Sequence, residues 1–380
     1  MWTIPTAIYW GSASLVSYTY FGYPAALYAL SRLRPKKVEQ RAIEPTVSVV
    51  LAAYNEVDKI GRKLDNLLAL DYPLEKLQIV VVSDGSNDGT DEVVKQYAAE
   101  HDNIVLARNE TPAGKAVGIN VGVAHASGEI LLFCDARQPI DRAALRSLVS
   151  WFADDQIGAV SGALHMNSEK GPGVYWKYEK MIRDAESRVD SVVGATGALY
   201  AIRRALFREL PPGTLLDDVY TPMQIAMQGY RVTFDNEARV YDEEASVKGE
   251  FSRKARTLAG NFQLMKLLPE LLNPIRNRLF PQLFSHKVLR LFCPYALVAL
   301  YGANVYLVAT LAPGWPLYAV TLAGQTLVYG LALKKIITGG DEDSGGKLER
   351  ISHSFVTLNA AAVEGLRRFL SQDMSWTSGR

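Results

Sequence analysis

The stretch PTVSVVLAAYNEVDKIGRKLDNLLALDYPLEKLQIVVVSDGSNDGTD, residues 45–91, decides the fold of this chain. Two apolar runs, 47–53 and 77–83, flank a segment with helical periodicity, and this pattern is typical of a βαβ unit. Polar residues follow the runs at once: Tyr54-Asn55-Glu56 after the first and Asp84-Gly85-Ser86 after the second. Open α/β sheets bind ligands just past the carboxyl ends of their strands. The stretch therefore predicts a ligand site at one edge of a sheet.

The same alternation continues to about residue 245. Further apolar runs are found at 104–107 and 130–134, with helical patterns at 58–70, 91–100, 115–126 and 142–152. Later segments predict extra strands at 159–164, 198–202 and 231–241 and a helix at 174–189. Strands that alternate with helices predict an α/β domain with a mostly parallel sheet.

The composition of this chain of 380 residues argues against a nucleic-acid-binding protein and against a scaffold held by disulfides. The formal net charge of +1 gives no electrostatic attraction toward nucleic acid, so no nucleic-acid partner is expected. The two cysteines, Cys134 and Cys293, are far apart in the sequence, which argues against a disulfide scaffold and fits a reducing compartment.

The amino terminus has the pattern of a membrane anchor. Residues 1–31 carry no charged side chain, and four cations follow at Arg32, Arg34, Lys36 and Lys37. A cleavable signal peptide has its charges before the apolar segment, whereas here they come after it. The positive-inside rule then predicts that the amino terminus lies outside and that residue 38 onward is cytoplasmic.

The carboxyl-terminal third also indicates a membrane. Residues 248–287 mix basic and apolar residues, which predicts helices in the membrane interface, with an ordinary amphipathic helix packed on the domain as the alternative. Residues 291–333 carry no charge and are broken at 313–316, which predicts two membrane helices. Lys287 and Arg290 before the pair, and Lys334 and Lys335 after it, predict that both outer ends lie in the cytoplasm. After an acidic loop at 339–347, the stretch 351–370 either crosses once more or lies at the surface.

These patterns divide the chain into five parts. They are a transmembrane helix with its basic flank at 1–37, the α/β domain at 38–247, interfacial amphipathic helices at 248–287, two transmembrane helices at 288–335, and an acidic loop with a membrane-associated helix at 336–380.

Two motifs in the α/β domain suit a diphosphate group. Lys115 opens a predicted helix, and a lysine at a helix start attracts phosphate by its charge and by the helix dipole. The glycine spacing around it is not that of a P-loop. Asp135 comes directly after a buried strand, where a carboxylate can hold Mg²⁺ or Mn²⁺. A surface lysine is the alternative interpretation for Lys115.

Two further motifs have both structural and chemical interpretations. Asp217 and Asp218 open a predicted helix, so they are either caps or a general base. Crowding of their like charges is expected to raise one of their pKa values, which suits a base. Arg253 and Arg256 either face lipid headgroups or hold a diphosphate leaving group.

Taken in order, these motifs resemble those of the membrane-anchored family 2 glycosyltransferases, the group of the hyaluronan, cellulose, chitin and poly-N-acetylglucosamine synthases. The resemblance covers about residues 40–310. It implies a Rossmann-like GT-A fold with a mostly parallel sheet, flanked by transmembrane and interfacial helices. It also implies a nucleotide-sugar donor, usually UDP-linked, and transfer with inversion at the anomeric carbon.

The resemblance also implies a role for each motif. The nucleotide would be bound at Ala53, Tyr54, Glu56, Asp84, Lys115, Asp135 and Arg137. Asp135, as the first acid of a D-x-D motif, would hold Mg²⁺ or Mn²⁺. Asp218, beside Asp217, would be the general base that deprotonates the acceptor. Arg256 matches the arginine of the family's Q-x-x-R-W signature, and Arg253 stands with it at the leaving-group and acceptor end.

Three departures from the family pattern leave questions open. Arg137 stands at the second acid of D-x-D, so either one carboxylate holds the metal with lower affinity or Arg137 neutralises phosphate charge directly. The Q-x-x-R-W segment lacks its glutamine and tryptophan, which leaves processive polymerisation open. Ser83 replaces the first acid of a frequent Asp-Asp-Gly-Ser motif, a change with a mild expected effect.

The expected function is a hexosyl- or N-acetylhexosaminyltransferase in the cell (inner) membrane, multi-pass, with its catalytic domain in the cytoplasm. It would build or extend an extracellular or cell-envelope polysaccharide. One alternative is transfer of a single sugar to a lipid carrier or lipid-linked oligosaccharide, and another is an inactive partner subunit that binds sugar nucleotides. The expected partners are a nucleotide-sugar donor, a glycan or lipid-linked acceptor, membrane lipids, and a second copy of the chain or an export partner.

Overall fold

A computed structural model describes residues 3–166, 174–242, 247–311, 316–338 and 345–372. Most of the turn predicted at 313–316 and most of the acidic loop predicted at 339–347 lie outside these residues.

Seven strands form one mixed sheet. They are β1 (Val47–Ala53), β2 (Leu77–Asp84), β3 (Ile104–Asn109), β4 (Ile130–Cys134), β5 (Ile157–Met166), β6 (Leu199–Arg203) and β7 (Arg231–Asp242). Their order across the sheet is β3-β2-β1-β4-β6-β5-β7. The first four are parallel, β6 is antiparallel to β4 and β5, and β5 is parallel to β7. The predicted α/β fold with a mostly parallel sheet is confirmed.

The helices pack on both faces of the sheet and continue at both ends of the chain. They are α1 (Ile4–Ser17), α2 (Tyr23–Leu33), α3 (Val57–Leu68), α4 (Thr90–Glu100), α5 (Lys115–His125), α6 (Ala144–Ser150), α7 (Val174–Val189), α8 (Asp217–Met227), α9 (Val247–Leu267), α10 (Phe280–Leu283), α11 (Leu289–Leu311), α12 (Pro316–Thr338) and α13 (Lys347–Ser371). Each helix predicted between the strands is present, with ends that differ by a few residues.

Alternation along the strands divides the core between the two faces. In β1, Val49 and Leu51 belong to the cluster beneath α3 and α6, whereas Val50 belongs to the cluster with Ile119 of α5. All three valine and leucine side chains are almost fully buried, as expected for a sheet covered on both faces. Strands β2 and β3 lie on one side of β1, and β4 lies on the other side. The strand order therefore reverses between β1 and β4, and a reversal of this kind leaves a crevice at the carboxyl ends of the two strands. That crevice is where open α/β sheets bind ligands.

Two helical runs among the described residues, Phe280–Thr310 and Pro316–Thr338, are long and apolar enough to cross a membrane. The first begins earlier than predicted, because a π-helical turn at Phe284–Val288 joins α10 to α11. Lys287 and Arg290 therefore lie on the helix itself rather than in a flank before it. The charge of Arg290 on this helix is neutralised by an ion pair with Glu179 of α7.

The N-terminal helix falls outside these two candidate spans, since hydroxyl and aromatic residues lower its hydropathy. A π-helical turn at Tyr18–Gly22 joins α1 to α2. The Tyr9 hydroxyl donates a hydrogen bond to Thr321 Oγ1 on α12 at 3.0 Å. At the other end of α1, the Tyr18 and Ser285 hydroxyls share a hydrogen bond of 2.9 Å. The helix thus packs against the two candidate spans, and its own crossing stays a prediction.

The segment predicted to be interfacial contains one long helix, α9, and α13 packs along it. Ring centroids of Phe262 and Phe369 stack 5.8 Å apart across this pair. At the crossing, a Cβ on Gly365 would lie 2.9 Å from the Ala259 backbone nitrogen and 3.0 Å from the Ala255 carbonyl oxygen. The two helices therefore approach closely, and α13 is not among the candidate membrane spans of the described residues.

Candidate active site

The loops after β1 and β2 are joined by hydrogen bonds. The Asn55 backbone N–H donates to Ser86 Oγ at 3.1 Å, and Asn55 Oδ1 accepts from the Asn87 backbone N–H at 3.0 Å. The Glu56 N–H donates to Thr90 Oγ1 at 2.9 Å. These bonds hold Asn55 at φ 53°, in the left-handed region that asparagine tolerates better than most residues. The two motifs, at residues 54–56 and 84–90, are far apart in the sequence, but these bonds join them into one rim at the edge of the sheet.

Asp84, at the end of β2, organises the next loop. Its carboxylate accepts hydrogen bonds from the backbone N–H groups of Ala113 and Gly114, at 2.9 and 2.8 Å, and from Asn109 Nδ2 at 2.8 Å. Gly85 follows at φ 71°, and a Cβ there would lie 2.8 Å from Pro112. Asp84 and Gly85 thus fix the segment that leads directly into Lys115.

Lys115 links two of the predicted acidic motifs. Its Nζ lies 3.0 Å from Asp135 Oδ1 and 3.4 Å from Asp217 Oδ1. Burial by itself lowers the pKa of Lys115, but the carboxylates of Asp135, Asp217 and Asp218 raise that pKa above its ordinary value. Lys115 is therefore a cation at neutral pH, held where the end of β4 and the start of α8 meet the start of α5.

The two adjacent carboxylates at the start of α8 have different surroundings. Asp217 is buried and contacts Lys115, and Tyr200 donates a hydrogen bond of 3.4 Å to its Oδ2. Asp218 is partly exposed. Burial, together with the charge of Asp217, raises the pKa of Asp218 to about 6, and the charges of Lys115 and Lys287 oppose this rise. The predicted rise of one pKa in this pair is confirmed, and it falls on Asp218.

A second charged group is built around Asp242, at the end of β7. Arg137 Nη2 donates to Asp242 Oδ2 at 2.8 Å, and Gln138 Nε2 donates to the same oxygen at 3.1 Å. Arg253 Nη1, on α9, lies 3.8 Å from that oxygen. The Asp242 side chain is 3% exposed and that of Arg137 is 49% exposed. A buried carboxylate thus anchors two guanidinium groups at the edge of the site.

Asp135 is the carboxylate that the D-x-D resemblance assigns to a metal ion. Its side chain is 39% exposed, and one of its oxygens contacts Lys115. Within the described ranges, no three His, Cys, Asp or Glu side chains group closely enough to hold a metal ion. A divalent cation on Asp135 would have one free carboxylate oxygen and the cations Lys115 and Arg137 beside it. This set of residues does not fit a metal ion as a two-acid motif does.

The other predicted site residues lie around this centre. Ala53 is buried at the end of β1, and Tyr54 beside it is half-buried. Glu56 pairs with Lys59 at 2.7 Å, so its carboxylate is already paired within α3. Arg256 lies one turn beyond Arg253 on α9, and it is Arg253 that approaches Asp242.

Three site features escaped the sequence interpretation. Asp242 ends a strand beside charged neighbours, a signal like that of Asp135, but it directly follows the segment 231–241, which was interpreted only as a strand. Lys287 was interpreted as a topology signal, although its charge acts on Asp218. The Ala195 backbone N–H donates to the Asp218 carbonyl oxygen at 2.6 Å, and the Gly-Ala-Thr-Gly run 194–197 was the available signal for this contact.

The fold, with charged residues gathered at the strand ends, is typical of an α/β enzyme, and comparison with known proteins identifies its class. Residues 48–210 match the family model described as Glycosyl transferase family 2. The match begins in β1 and includes the rim, Lys115 and Asp135. This segment is a family 2 glycosyltransferase domain, and the predicted family resemblance and GT-A architecture are confirmed.

Curated relatives are glycosyltransferases. A probable glycosyltransferase of Bacillus subtilis, YdaM, is 26% identical over 277 residues, which are 66% of this chain and 63% of that protein. The poly-beta-1,6-N-acetyl-D-glucosamine synthase of Staphylococcus aureus is 25% identical over 289 residues, 72% of this chain and 67% of that protein. The chain therefore spans a little less than two thirds of the first of these relatives.

A solved structure is similar over nearly the whole chain. The mannosyltransferase PcManGT from Pyrobaculum calidifontis, in complex with GDP-Man and Mn²⁺, has a TM-score of 0.73 and 26% identity. The similarity covers 97% of this chain and 99% of that chain, so it includes the helices at both ends.

Proposed function

We propose that this protein is an inverting glycosyltransferase that takes a nucleotide sugar on the cytoplasmic face of a membrane and builds or extends a cell-envelope glycan. The observation that carries the proposal is the cluster of Lys115, Asp217 and Asp218 at the carboxyl edge of the sheet, inside or next to the segment that matches the family model. The cluster offers a cation for a diphosphate beside a partly exposed carboxylate for an acceptor hydroxyl.

The reaction is a single displacement. The acceptor oxygen forms a bond to C1 of the sugar as the bond from C1 to the diphosphate oxygen breaks on the opposite face. The electron pair of the broken bond stays on the nucleoside diphosphate, and the acceptor proton moves to Asp218. A base with a pKa near the working pH accepts this proton most effectively. Lys115, with Arg253 nearby, stabilises the leaving diphosphate by charge.

Position relative to the membrane supports an acceptor that is membrane-bound or exported. The candidate span Phe280–Thr310 carries Lys287, whose charge acts on Asp218. This influence supports a site close to the candidate spans. This placement favours a glycan or lipid-linked acceptor over a soluble small molecule.

The donor is expected to be a UDP- or GDP-linked sugar. The Staphylococcus relative is by name an N-acetylglucosamine polymer synthase, and PcManGT was solved with GDP-mannose. Neither name fixes the sugar used by this chain. A nucleoside-diphosphate release assay on the detergent-purified chain, run with UDP-N-acetylglucosamine, UDP-glucose and GDP-mannose and with membrane lipid extract as acceptor, tests the proposal. Release with none of the donors would refute it.

Transfer of a single sugar to a lipid-linked acceptor is the second candidate. The similarity to PcManGT over nearly the full length of both chains favours it, since that protein is by name a mannosyltransferase and not a polymer synthase. Product size on a gel separates the candidates. A ladder or smear of long chains indicates polymerisation, and one discrete lipid-linked product indicates single transfer.

A further inference from the structure

Arg137 occupies the position where a D-x-D motif has its second metal-binding acid. Its guanidinium group is held in place by the buried Asp242, through Nη2 at 2.8 Å. Its Nε and Nη1 groups have no hydrogen-bond partner among the residues that the structure describes. Arginine presents its donors as a rigid fork that matches phosphate oxygens. One side of the fork is fixed, and the other is available to a ligand.

Two more side chains lie close to the Asp242 oxygen that accepts from Arg137, one at hydrogen-bond distance and one at ion-pair distance. Gln138 Nε2 lies 3.1 Å from it and Arg253 Nη1 lies 3.8 Å from it. Two guanidinium groups thus approach one carboxylate oxygen from different elements. A diphosphate bound beside them would be held by charge and by the fixed geometry of the guanidinium donors.

Lys115 provides the third cation, at the start of the helix α5. Its ammonium group lies between Asp135 and Asp217, a place where carboxylates from two elements would otherwise approach a metal ion. Asp135 is only two residues from Arg137, so the two cationic groups flank the same strand end. Mg²⁺ is usually bound through one or two carboxylates and the substrate's phosphates. Here the two carboxylates, Asp135 and Asp217, already contact an ammonium group.

We propose that this chain holds the diphosphate of its donor with Arg137, Arg253 and Lys115 in place of a divalent metal ion. The proposal rests on the proposed function, because it assumes a nucleoside-diphosphate donor. It makes Asp242 a positioning residue that aims Arg137 and Arg253.

Calorimetric titration of the purified full-length chain with UDP and with GDP is the first test. Wild type is expected to bind one of them with similar affinity in EDTA and in Mn²⁺. Arg137→Gln is expected to weaken binding in EDTA by roughly 10- to 100-fold, the range for lost hydrogen bonds to a charged group. Arg137→Lys, which keeps the charge but not the fork, should lie between the two. Arg146→Gln is the matched control, since Arg146 pairs with Glu44 and Asp71 on the surface.

A reverse substitution gives a readout that does not depend on turnover. The double variant Arg137→Asp, Asp242→Asn restores a two-acid motif without leaving two carboxylates face to face. With UDP or GDP present, this variant is expected to remove the signal of free Mn²⁺ in electron paramagnetic resonance, and wild type is expected not to.

The outcomes separate this inference from the proposed function. Binding by wild type only when Mn²⁺ is present, or uptake of Mn²⁺ by wild type with nucleotide, overturns the metal-free account and leaves the transferase intact. Unchanged affinity in Arg137→Gln overturns the role of Arg137. Failure of wild type to bind UDP or GDP under either condition overturns both this inference and the proposed function.

Discussion

Asp217 and Asp218 are neighbours in sequence, but their surroundings give them different chemistry. Asp217 is buried, and its carboxylate is already paired with Lys115 and hydrogen-bonded by Tyr200. Asp218 is partly exposed, and the charge of Asp217 helps to raise its pKa toward neutrality. Asp217 therefore helps to raise the pKa of Asp218, and Asp218 is the carboxylate of the pair that is exposed to an acceptor.

Replacement of Asp218 by Asn tests this division at the level of one residue. The amide keeps the size of the side chain but cannot accept the acceptor's proton, so turnover is expected to fall by roughly 10²-fold or more. Affinity for the nucleoside diphosphate should change little, because Lys115 remains. Steady-state rates and calorimetric binding measure the two effects. Asp155→Asn, on a fully exposed carboxylate, is the control. Turnover close to wild type would remove Asp218 from its role.

The pH profile provides a second test of the same residue. A base acts only when it is deprotonated, so turnover should fall by about tenfold per unit as the pH drops below about 6, the pKa of Asp218. Lys287 lowers this pKa by its charge, so Lys287→Gln should move the acid limb of the profile to higher pH. Lys76→Gln, at a surface pair with Glu44, should leave it in place. A limb that stays fixed or moves downward in Lys287→Gln would contradict the proposed electrostatics.

Among the elements, α13 supports α9, the helix that carries Arg253 and Arg256. The Arg368 guanidinium donates to Ser252 Oγ at 3.2 Å, and Gly365 allows the two backbones to meet. The position of Arg253 near Asp242 thus depends on contacts between residues far apart in the chain, such as Arg368 and Ser252, which are 116 positions apart.

Gly365→Leu is expected to disturb this crossing. Its Cβ alone would lie 2.9 Å from backbone, so the helices must separate, at a cost of about 1–3 kcal/mol of unfolding free energy. Thermal unfolding in detergent measures the loss. Gly324→Leu is the matched control, because a Cβ there meets nothing within 4 Å. Equal stability of the two variants would show that the crossing tolerates a side chain.

At this scale the sequence predicted the local elements well and their long-range partners poorly. The apolar runs that became β1 and β4 were identified with their observed ends, because buried parallel strands have a strong local signal. The pairing of Arg137 with Asp242 joins residues 105 positions apart, and no local pattern contains it. The helix that contains the first candidate span begins before residue 288, and Arg290 within it pairs with Glu179 of α7, a contact between distant residues that no local pattern contains.

For the whole molecule, the packing of the N-terminal helix relates its two ends to the two candidate spans. Tyr9, in the first half of α1, contacts Thr321 near the start of α12, whereas Tyr18, just after the end of α1, contacts Ser285 near the start of the other candidate span. The start of the chain should therefore lie outside and the transferase domain inside.

Cysteine labelling tests this topology in intact cells. Both native cysteines are buried thiols, so background labelling should be low. A membrane-impermeant maleimide is expected to label Thr3→Cys, and to label Asp155→Cys only after the cells are permeabilised, since both positions are exposed. The reverse pattern would place the catalytic domain outside and contradict the use of a cytoplasmic donor.

The stereochemistry of the product distinguishes single displacement at C1, assisted by Asp218, from a route through a covalent sugar intermediate. The measurement is the anomeric configuration of the newly formed linkage, determined by nuclear magnetic resonance with a donor that the release assay finds active. One displacement from the face opposite the diphosphate inverts the configuration, whereas a covalent sugar intermediate retains it. A linkage with the configuration opposite to that of the donor is expected, and a linkage with the same configuration would contradict single displacement.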